Sequence, residues 1–220
     1  MPGKATFIVL EGTDGSGKAT QAGLLVDRIQ QIGWNVMPID FPQYGTQSAG
    51  PCEVYLNGGY GVAKDVGPRQ AAVFYAVDHF DGGKKIAAAL EAGKVVVANR
   101  YMGSNLAHQG GKIDDPAERV RFYEWLRDFE FNILGIPKPS KTLVLHVASD
   151  IGKRLAFERD DKSDIHENDE QHLMDAEKAY LELCERYPDY VLLECMEGTT
   201  LKSREVIHEM VWQEVSPLLS

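Results

Sequence analysis

Short runs of consecutive apolar residues are the feature of this sequence that most restricts its fold. FIVL occupies positions 7–10, VVVA positions 95–98 and LVLHV positions 143–147. Strands that are apolar on successive positions are buried on both faces, which is typical of parallel sheets covered by helices on either side. We therefore predict an α/β fold with a five-stranded parallel sheet, whose strands span residues 6–10, 35–39, 94–98, 142–147 and 190–193.

Longer amphipathic stretches fill the gaps between these strands. They predict helices over residues 18–32, 68–92, 116–134, 168–187 and 201–218. Because strands and helices alternate along the chain, neighbouring strands are expected to pair in parallel through right-handed crossovers. No linker interrupts the 220 residues, so we predict a single domain over residues 1–220.

The composition restricts the partners. The chain has 23 Lys and Arg against 33 Asp and Glu, a net charge of −10, so non-specific binding to nucleic acid or to a lipid membrane is not expected. Any phosphate must bind in a local basic pocket.

No apolar run approaches the ~20 residues of a membrane helix, and the N-terminus does not resemble a signal peptide. Three widely spaced cysteines predict buried thiols in the cytoplasm and neither a zinc site nor disulfides.

A glycine-rich segment follows the first predicted strand and opens the first predicted helix. It has the spacing GxxxxGK and comprises Gly12, Thr13, Asp14, Gly15, Ser16, Gly17, Lys18, Ala19 and Thr20. In such a segment the glycines let backbone N–H groups turn around phosphate oxygens, and the helix N-terminus adds positive potential. The lysine reaches the β- and γ-phosphates. We therefore predict that this loop binds a nucleoside triphosphate.

One position of the loop departs from the strict pattern. A serine or threonine normally follows the lysine and binds Mg²⁺, but here Ala19 does, and the hydroxyl comes one residue later at Thr20. One helical step is a turn of about 100°, so Thr20 need not fill the same place. The loop does not define the reaction. The strand VVVA ends in Asn99 and no NKxD motif occurs, which disfavours a motor ATPase and a switch GTPase.

A second phosphate-binding group is predicted at the end of the third strand. Arg100 follows this strand in the segment ANRYMGSN. Ligands collect at the carboxyl ends of parallel strands, and a guanidinium can bind a phosphate through two hydrogen bonds.

Six segments, in order, carry a family resemblance: EGTDGSGKATQ, DFPQYG, FYAVDHF, NRYMGSNLAHQG, GIPKP and RDDKSDIHE. Over about residues 5–190 the chain resembles the thymidylate (dTMP) kinases. The resemblance implies a three-layer phosphate-loop kinase fold with a helical lid over about residues 150–170. It also implies ATP and Mg²⁺ as cofactors, transfer of the γ-phosphoryl group to dTMP, and a homodimer.

The resemblance also assigns roles on the acceptor side. Tyr75 matches an aromatic residue that stacks on thymine, for which a flat ring suffices. Asn105 matches a residue that hydrogen-bonds the base edge, and its amide offers both a donor and an acceptor. Asp14 matches an acid near the acceptor sugar and the transferring group. The expected acceptor pocket comprises Asp14, Phe41, Pro42, Tyr44, Tyr75, His79, Arg100, Ser104, Asn105, His108 and Gln109.

The acidic segment 158–170 corresponds to the family's lid. In the family that the chain resembles, basic lid residues clamp the transferring phosphoryl group when the phosphate loop carries no arginine, and the loop has none here. The candidates are Arg154, Arg159 and Lys162, and Arg154 is also expected along the adenine. Asp164 and Glu167 match lid acids. The resemblance thus implies catalytic residues Asp14, Lys18, Arg100 and Arg159, an ATP site of residues 12–20 with Arg154, and metal ligands Asp14, Thr20 and Glu167.

Three positions depart from the family pattern. Asn99 replaces an acid that helps hold the water shell of the metal. His79 replaces an arginine expected to grip the acceptor phosphate, so we predict an acceptor affinity that falls between about pH 6 and 8. His108 replaces a tyrosine beside the deoxyribose, which is expected to relax sugar discrimination or to admit a modified base. Two alternatives therefore stay open: a kinase for another pyrimidine monophosphate such as dUMP, and a weakly catalytic nucleotide-binding relative.

The replacement at position 99 gives the first test. An asparagine keeps an acceptor oxygen but loses the charge, so Asn99→Asp should lower the Mg²⁺ concentration needed for half-maximal turnover. A magnesium titration of both proteins measures this. The same Mg²⁺ dependence in the variant and the parent protein contradicts the hypothesis.

Overall fold

A computed structural model describes residues 5–63, 65–148, 151–152 and 170–219. Its main sheet contains five parallel strands: β1 (Thr6–Glu11), β2 (Val36–Asp40), β3 (Val95–Asn99), β4 (Lys141–His146) and β5 (Tyr190–Glu194). They lie in the order β2-β3-β1-β4-β5. The predicted five-stranded parallel sheet is confirmed, and each strand end lies within one residue of its predicted position.

Helices connect the strands. The described residues form α1 (Lys18–Gln31), α2 (Gly50–Leu56), α3 (Pro68–Glu91), α4 (Met102–Gly110), α5 (Pro116–Asp128), α6 (Glu170–Arg186) and α7 (Arg204–Val215). A π-helical turn (Phe129–Ile133) extends α5, and a 3₁₀ turn (Ser216–Leu218) extends α7. No helix in these parts of the chain is long and apolar enough to cross a membrane.

The sequence-based prediction missed α2, α4 and a short hairpin. The hairpin, β6 (Met196–Glu197) with β7 (Thr200–Leu201), ends at Leu201, the residue predicted to open the last helix. That helix begins instead at Arg204, where the Ser203 hydroxyl accepts a hydrogen bond from the Val206 N–H. The helix α4 is almost wholly buried and nine residues long, so it shows no amphipathic pattern from which to predict it.

The sheet separates two hydrophobic cores, which makes the molecule three-layered. Successive side chains of a strand point to opposite faces, and β1 shows this clearly. Phe7 and Val9 belong to the core beneath α3, α4, α5 and α6. Ile8 and Leu10 belong to the core beneath α1 and α7. Burial on both faces is the physical reason for the continuous apolar runs in the sequence.

The register of the central strands places the functional residues. Leu10 of β1 lies opposite Asn99 of β3, and the Arg100 N–H donates to the Leu10 carbonyl over 2.9 Å. The glycine-rich loop after β1 and Arg100 after β3 therefore leave the same edge of the sheet side by side.

Two helical glycines predict opposite stability effects. A Cβ at Gly82 of α3 would run into the ring of buried Phe41, whereas a Cβ at Gly23 of α1 would meet nothing within 4 Å. Gly82→Ala should therefore destabilise the protein by about 1–3 kcal/mol through overpacking. The matched change Gly23→Ala should stabilise it by about 0.5–1 kcal/mol, because alanine favours a helix. Urea denaturation of both variants measures the difference, and equal midpoints would contradict this view of the α3 packing.

Candidate functional site

The glycine-rich loop has a backbone that requires its glycines. Gly12, Gly15 and Gly17 adopt φ angles of 138°, 77° and 84°, a region that residues with a Cβ rarely enter. A Cβ at Gly12 would also collide with the carbonyl oxygen of Leu145 on β4. The motif in the sequence therefore reflects a backbone conformation, as expected for a loop that wraps a phosphate.

Lys18 closes the loop from the first turn of α1. Its side chain is buried, and its Nζ donates to the Thr13 carbonyl over 2.6 Å and to the Ser16 Oγ over 3.4 Å. The same nitrogen lies 3.9 Å from the Asp14 Oδ1. The ammonium group is thus held across the loop by groups that phosphate oxygens can replace.

Arg100 and Asp14 form an ion pair between the ends of β3 and β1. The Arg100 Nη2 donates to the Asp14 Oδ1, and its Nη1 donates to the Ser104 Oγ over 3.0 Å. Burial alone lowers the pKa of Arg100, but the nearby Asp14, Tyr180 and Glu11 outweigh it, so this pKa is raised. The guanidinium therefore keeps its charge at every pH relevant to an enzyme.

Arg100 itself adopts a strained backbone. Its φ of 67° makes it the single residue other than glycine with a positive φ in the described chain. Such conformations cost about 1–3 kcal/mol and persist where surrounding contacts hold them. Here the hydrogen bond to Leu10 on one side and the anchored start of α4 on the other supply those contacts.

Glu11 provides that anchor, and the sequence-based prediction missed it. This fully buried carboxylate accepts hydrogen bonds from the backbone N–H groups of Tyr101 and Ser104 at 2.8 and 3.0 Å. It also accepts from the hydroxyls of Ser104 and Tyr180 at 2.6 and 3.0 Å. Burial raises the pKa of Glu11 above its usual value, although these hydrogen bonds oppose the shift. The sequence feature that could have identified Glu11 is an acidic residue directly after the apolar run FIVL.

A cleft opens beside the ion pair of Arg100 and Asp14 and encloses about 630 Å³ of space, part of it open to solvent. Phe41 and Tyr101 form its aromatic wall with ring centroids 5.2 Å apart, and Tyr44 is exposed. Most of the predicted acceptor residues meet here. The lining comprises Asp14, Phe41, Pro42, Tyr44, Leu56, Tyr75, His79, Arg100, Tyr101, Ser104 and His108.

Two predicted acceptor residues, Asn105 and Gln109, are not part of this lining. Both are buried and lie one turn apart on α4. The Asn105 Nδ2 donates to the Ala72 carbonyl at 3.0 Å and to the Glu130 Oε1 at 3.1 Å. Within the described chain, the Asn105 Oδ1 and both amide atoms of Gln109 have no hydrogen-bond partner. Buried amides of this kind are unusual in folded proteins and suit a polar ligand.

His79 is paired within the protein. Its Nδ1 lies 2.8 Å from the Oε2 of Glu130, which is fully buried. Burial opposes protonation of the imidazole, but Glu130, Asp78 and Glu11 outweigh it, so the pKa of His79 is raised above 6.5. The affinity for the acceptor nucleotide is still expected to fall as the pH rises, because the charged form of His79 is lost. Since the pKa of His79 is raised, this fall is expected at a higher pH than the sequence alone predicts.

The surroundings of His108 disfavour its protonation, in contrast to those of His79. Its Nδ1 is 3.2 Å from the Nε2 of His172 in the first turns of α6, and the two rings stack. Burial is the main reason that the pKa of His108 falls well below 6.5, and His172, Arg100 and Lys18 lower it further. His108 is therefore neutral near pH 7 and presents no charge to the cleft.

The structure describes only some of the predicted metal and lid residues. Thr20 and Ala19 are exposed on α1. Among the residues described, no group of three or more His, Cys, Asp or Glu side chains could hold a metal ion. The remaining predictions lie outside the described residues: Arg154, Arg159, Lys162, Asp164 and Glu167.

A loop with left-handed glycines between a central parallel strand and a helix, closed by a lysine and faced by an arginine, defines a phosphate-loop nucleotide-binding protein. A family model for thymidylate kinase matches residues 10–207. The chain therefore belongs to the thymidylate kinase family, and the resemblance read from its motifs is confirmed.

Individual relatives agree with this membership. A probable thymidylate kinase from Thermococcus kodakarensis is 31% identical and aligns over 97% of this chain and 98% of its own. Another from Pyrococcus abyssi is 29% identical over 92% of each chain. The solved structure of a thymidylate kinase from Candida albicans superimposes with a TM-score of 0.76 at 20% identity, covering 98% of this chain and 92% of that one. That structure supports the fold.

The Glu11 anchor yields a prediction for stability. Glu11→Ala leaves two buried backbone N–H groups without acceptors, so the free energy of unfolding should fall by about 2–5 kcal/mol. Glu11→Gln is the matched control. Its oxygen can still accept from both N–H groups and its amide can donate to both hydroxyls, so the loss should stay below about 1.5 kcal/mol. Chemical denaturation measures both, and an equal loss in the two variants would refute the anchoring role.

Proposed function

We propose that this protein transfers the γ-phosphoryl group of ATP to the 5′-phosphate of dTMP. Family membership supports the activity. The observation that carries it is one cleft lined by Asp14 of the glycine-rich loop, by Arg100 and by aromatic residues that include Phe41 and Tyr75. This arrangement suits two phosphates meeting end to end with a planar base held beside them.

The chemistry follows from charge. An oxygen of the acceptor phosphate, already ionised near pH 7, forms the new bond to the γ-phosphorus, and the bond to the β–γ bridging oxygen breaks as ADP leaves. No strong general base is needed, so catalysis consists of positioning and neutralising charge. Lys18 and the loop N–H groups would hold the donor phosphates. Arg100, oriented by Asp14 and Ser104, would hold the acceptor phosphate.

Oxygen atoms of Asn99 and Thr20 are the described groups that we propose for Mg²⁺. Asn99 holds Asp40 through its Nδ2, and its buried Oδ1 has no partner among the described residues. The Thr20 hydroxyl is exposed at the start of α1. Mg²⁺ typically takes few protein ligands and completes its shell with phosphates and water, so these oxygens would suffice beside a bound nucleotide. The ion would neutralise charge on the phosphates. Asp14, also predicted as a ligand, is held by Arg100.

The remaining assignments belong to the same proposal. Arg154, Arg159 and Glu167 would act from a lid over about residues 150–170, with Arg159 clamping the transferring group.

The chain would form one domain, act in the cytoplasm and pair as a homodimer. Val73, Val77 and Phe80 support the dimer, because they leave apolar surface exposed along one face of α3. Sedimentation equilibrium measures the oligomeric state.

A panel of acceptors tests the activity. ADP release should be fastest with dTMP, compared with dUMP, dCMP, dGMP and dAMP under the same conditions. A preference for another pyrimidine monophosphate would support the alternative kinase. Tight binding of ATP without transfer to any acceptor would support a weakly catalytic relative.

Lys18 and Arg100 provide the mutational test. Removing a preorganised charge from a transferring phosphate costs about 100- to 1,000-fold in turnover, so Lys18→Ala and Arg100→Ala should each lose at least about 100-fold in kcat. Lys94→Ala is the control, since Lys94 is exposed just before β3, at the opposite edge of the sheet. A loss of tenfold or less in the two site variants would show that the site is misplaced.

A further inference from the structure

A buried carboxylate on α3 holds one wall of the cleft without lining the cleft itself. The wall comes from the chain between β2 and α2, which we call the wall segment (residues 41–48), and it brings Phe41, Pro42 and Tyr44 to the cleft. Asp78 of α3 is 1% exposed and is not part of the lining. Its hydrogen bonds to the wall segment are therefore a route by which it would act on a bound nucleotide.

Asp78 binds the wall segment on both sides of Tyr44. Its Oδ2 accepts from the backbone N–H of Gln43 at 2.8 Å, and its Oδ1 accepts from the Gln43 Nε2 at 2.9 Å. The same Oδ1 accepts from the Ser48 hydroxyl at 2.8 Å. Because Gln43 lies between Pro42 and Tyr44 in the chain, these bonds fix the backbone directly beside two residues that line the cleft.

Hydrogen bonds within the wall segment close it into a compact loop. The Tyr44 N–H donates to the Pro42 carbonyl at 2.9 Å, and the Thr46 N–H donates to the Gln43 carbonyl at 3.1 Å. The Thr46 hydroxyl donates to the same carbonyl at 2.8 Å. Since the loop is closed on itself, the position of its lining residues depends on how it is attached to α3.

The surface of α3 leaves space for the wall segment at a glycine. A Cβ at Gly82 would collide with the Phe41 ring and would lie 3.1 Å from the Gln43 Nε2. The Gln43 Nε2 also donates to the backbone carbonyl of Asp78 at 3.2 Å, and the Lys85 Nζ donates to the Gln43 Oε1 at 2.6 Å. The Gln43 side chain therefore lies against α3, and the Asp78 carboxylate binds both its backbone and its amide.

Two other contacts to the wall segment are exposed to water. The Gly45 N–H donates to the Glu53 Oε1 at 2.6 Å on the exposed side of the loop, and Lys85, which binds Gln43, is exposed as well. Exposed charged contacts contribute little to stability. Donors that lose a buried charged acceptor are far more costly, so the attachment of the wall segment depends mainly on Asp78.

We propose that Asp78 is a positioning residue for the acceptor nucleotide, which acts by holding the wall segment in the conformation that receives this nucleotide. The inference rests on the proposed function. Among the hydrogen bonds of the described residues, none joins Asp78 to the glycine-rich loop at which ATP would bind. The role should therefore concern the acceptor nucleotide and leave ATP binding unchanged.

Asp78→Ala tests the role through the two Michaelis constants. The variant loses the acceptor of three hydrogen bonds, so the KM for dTMP should rise by about 10-fold or more, and the KM for ATP should stay within about twofold. A general loss of structure would affect both nucleotides. Glu91→Ala, an exposed carboxylate at the end of the same helix, is the control and should change neither constant.

Asp78→Asn separates the hydrogen bonds from the charge. Its amide oxygen can accept from the Gln43 N–H and its amide nitrogen can donate to the Ser48 hydroxyl, so the KM for dTMP should stay within about threefold of the wild-type value. Asp78 also raises the pKa of His79, which lines the cleft. Both variants remove this charge, so an equal rise in KM in the two would assign the effect to His79 and overturn the proposal.

Amide hydrogen exchange measures the attachment without any nucleotide. In the free wild-type protein the Gln43 N–H should exchange at least about 10-fold more slowly than in an unstructured peptide, because it is bonded to a buried group. In Asp78→Ala this protection should be lost. NMR of the labelled protein resolves this amide. Exchange of the wild-type Gln43 amide at the peptide rate would overturn the proposal even if Asp78→Ala does not fold.

The outcomes distinguish this inference from the activity on which it rests. If the wild-type protein phosphorylates dTMP and a folded Asp78→Ala keeps the wild-type KM for dTMP, the role of Asp78 is wrong and the kinase assignment stands. The same holds if the KM for ATP rises as much as that for dTMP. If the wild-type protein phosphorylates no nucleoside monophosphate, the proposed function fails and the positioning role fails with it, whatever the exchange of the Gln43 amide.

Discussion

The buried carboxylate of Glu11 is the contact on which the geometry of the site depends. It ends the central strand β1 and caps the start of α4 through two backbone N–H groups of the segment that follows β3. The strained Arg100 lies between β3 and that helix, and it reaches back to Asp14 on the loop after β1. One buried acid thus ties two parallel strands, a helix and the phosphate loop into a single frame.

The electrostatics of the cleft explain how an acidic protein can bind anions. The net charge of −10 is spread over the whole molecule, whereas Lys18 and Arg100 concentrate positive charge at one edge of the sheet. Both cations are already hydrogen-bonded to protein oxygens, Lys18 to Thr13 and Arg100 to Asp14. Cations held in place before the substrate arrives need little reorganisation during the reaction, which is the main source of electrostatic catalysis.

The three residues that depart from the family pattern make different contacts in the structure. Asn99 keeps a buried oxygen without a described partner next to Asp40. His108 is neutral and stacks on His172, so it joins α4 to the first turns of α6 without adding charge. His79 is paired with Glu130 and linked through it to Asn105. The pKa values of two histidines that line one cleft are therefore shifted in opposite directions: acidic neighbours raise that of His79, and burial, with the neighbouring His172, lowers that of His108.

The sequence by itself determined the sheet, the glycine loop and the position of Arg100, because these depend on local patterns. Apolar runs reflect burial on two faces, and the loop glycines reflect left-handed backbone angles. Tertiary structure alone decided the rest. The nine-residue α4 has no exposed face to give a periodic signal. Glu11 and Glu130 reach Ser104, His79 and Asn105 across long stretches of chain. Such pairings depend on where strands and helices pack, and no local pattern of residues encodes them.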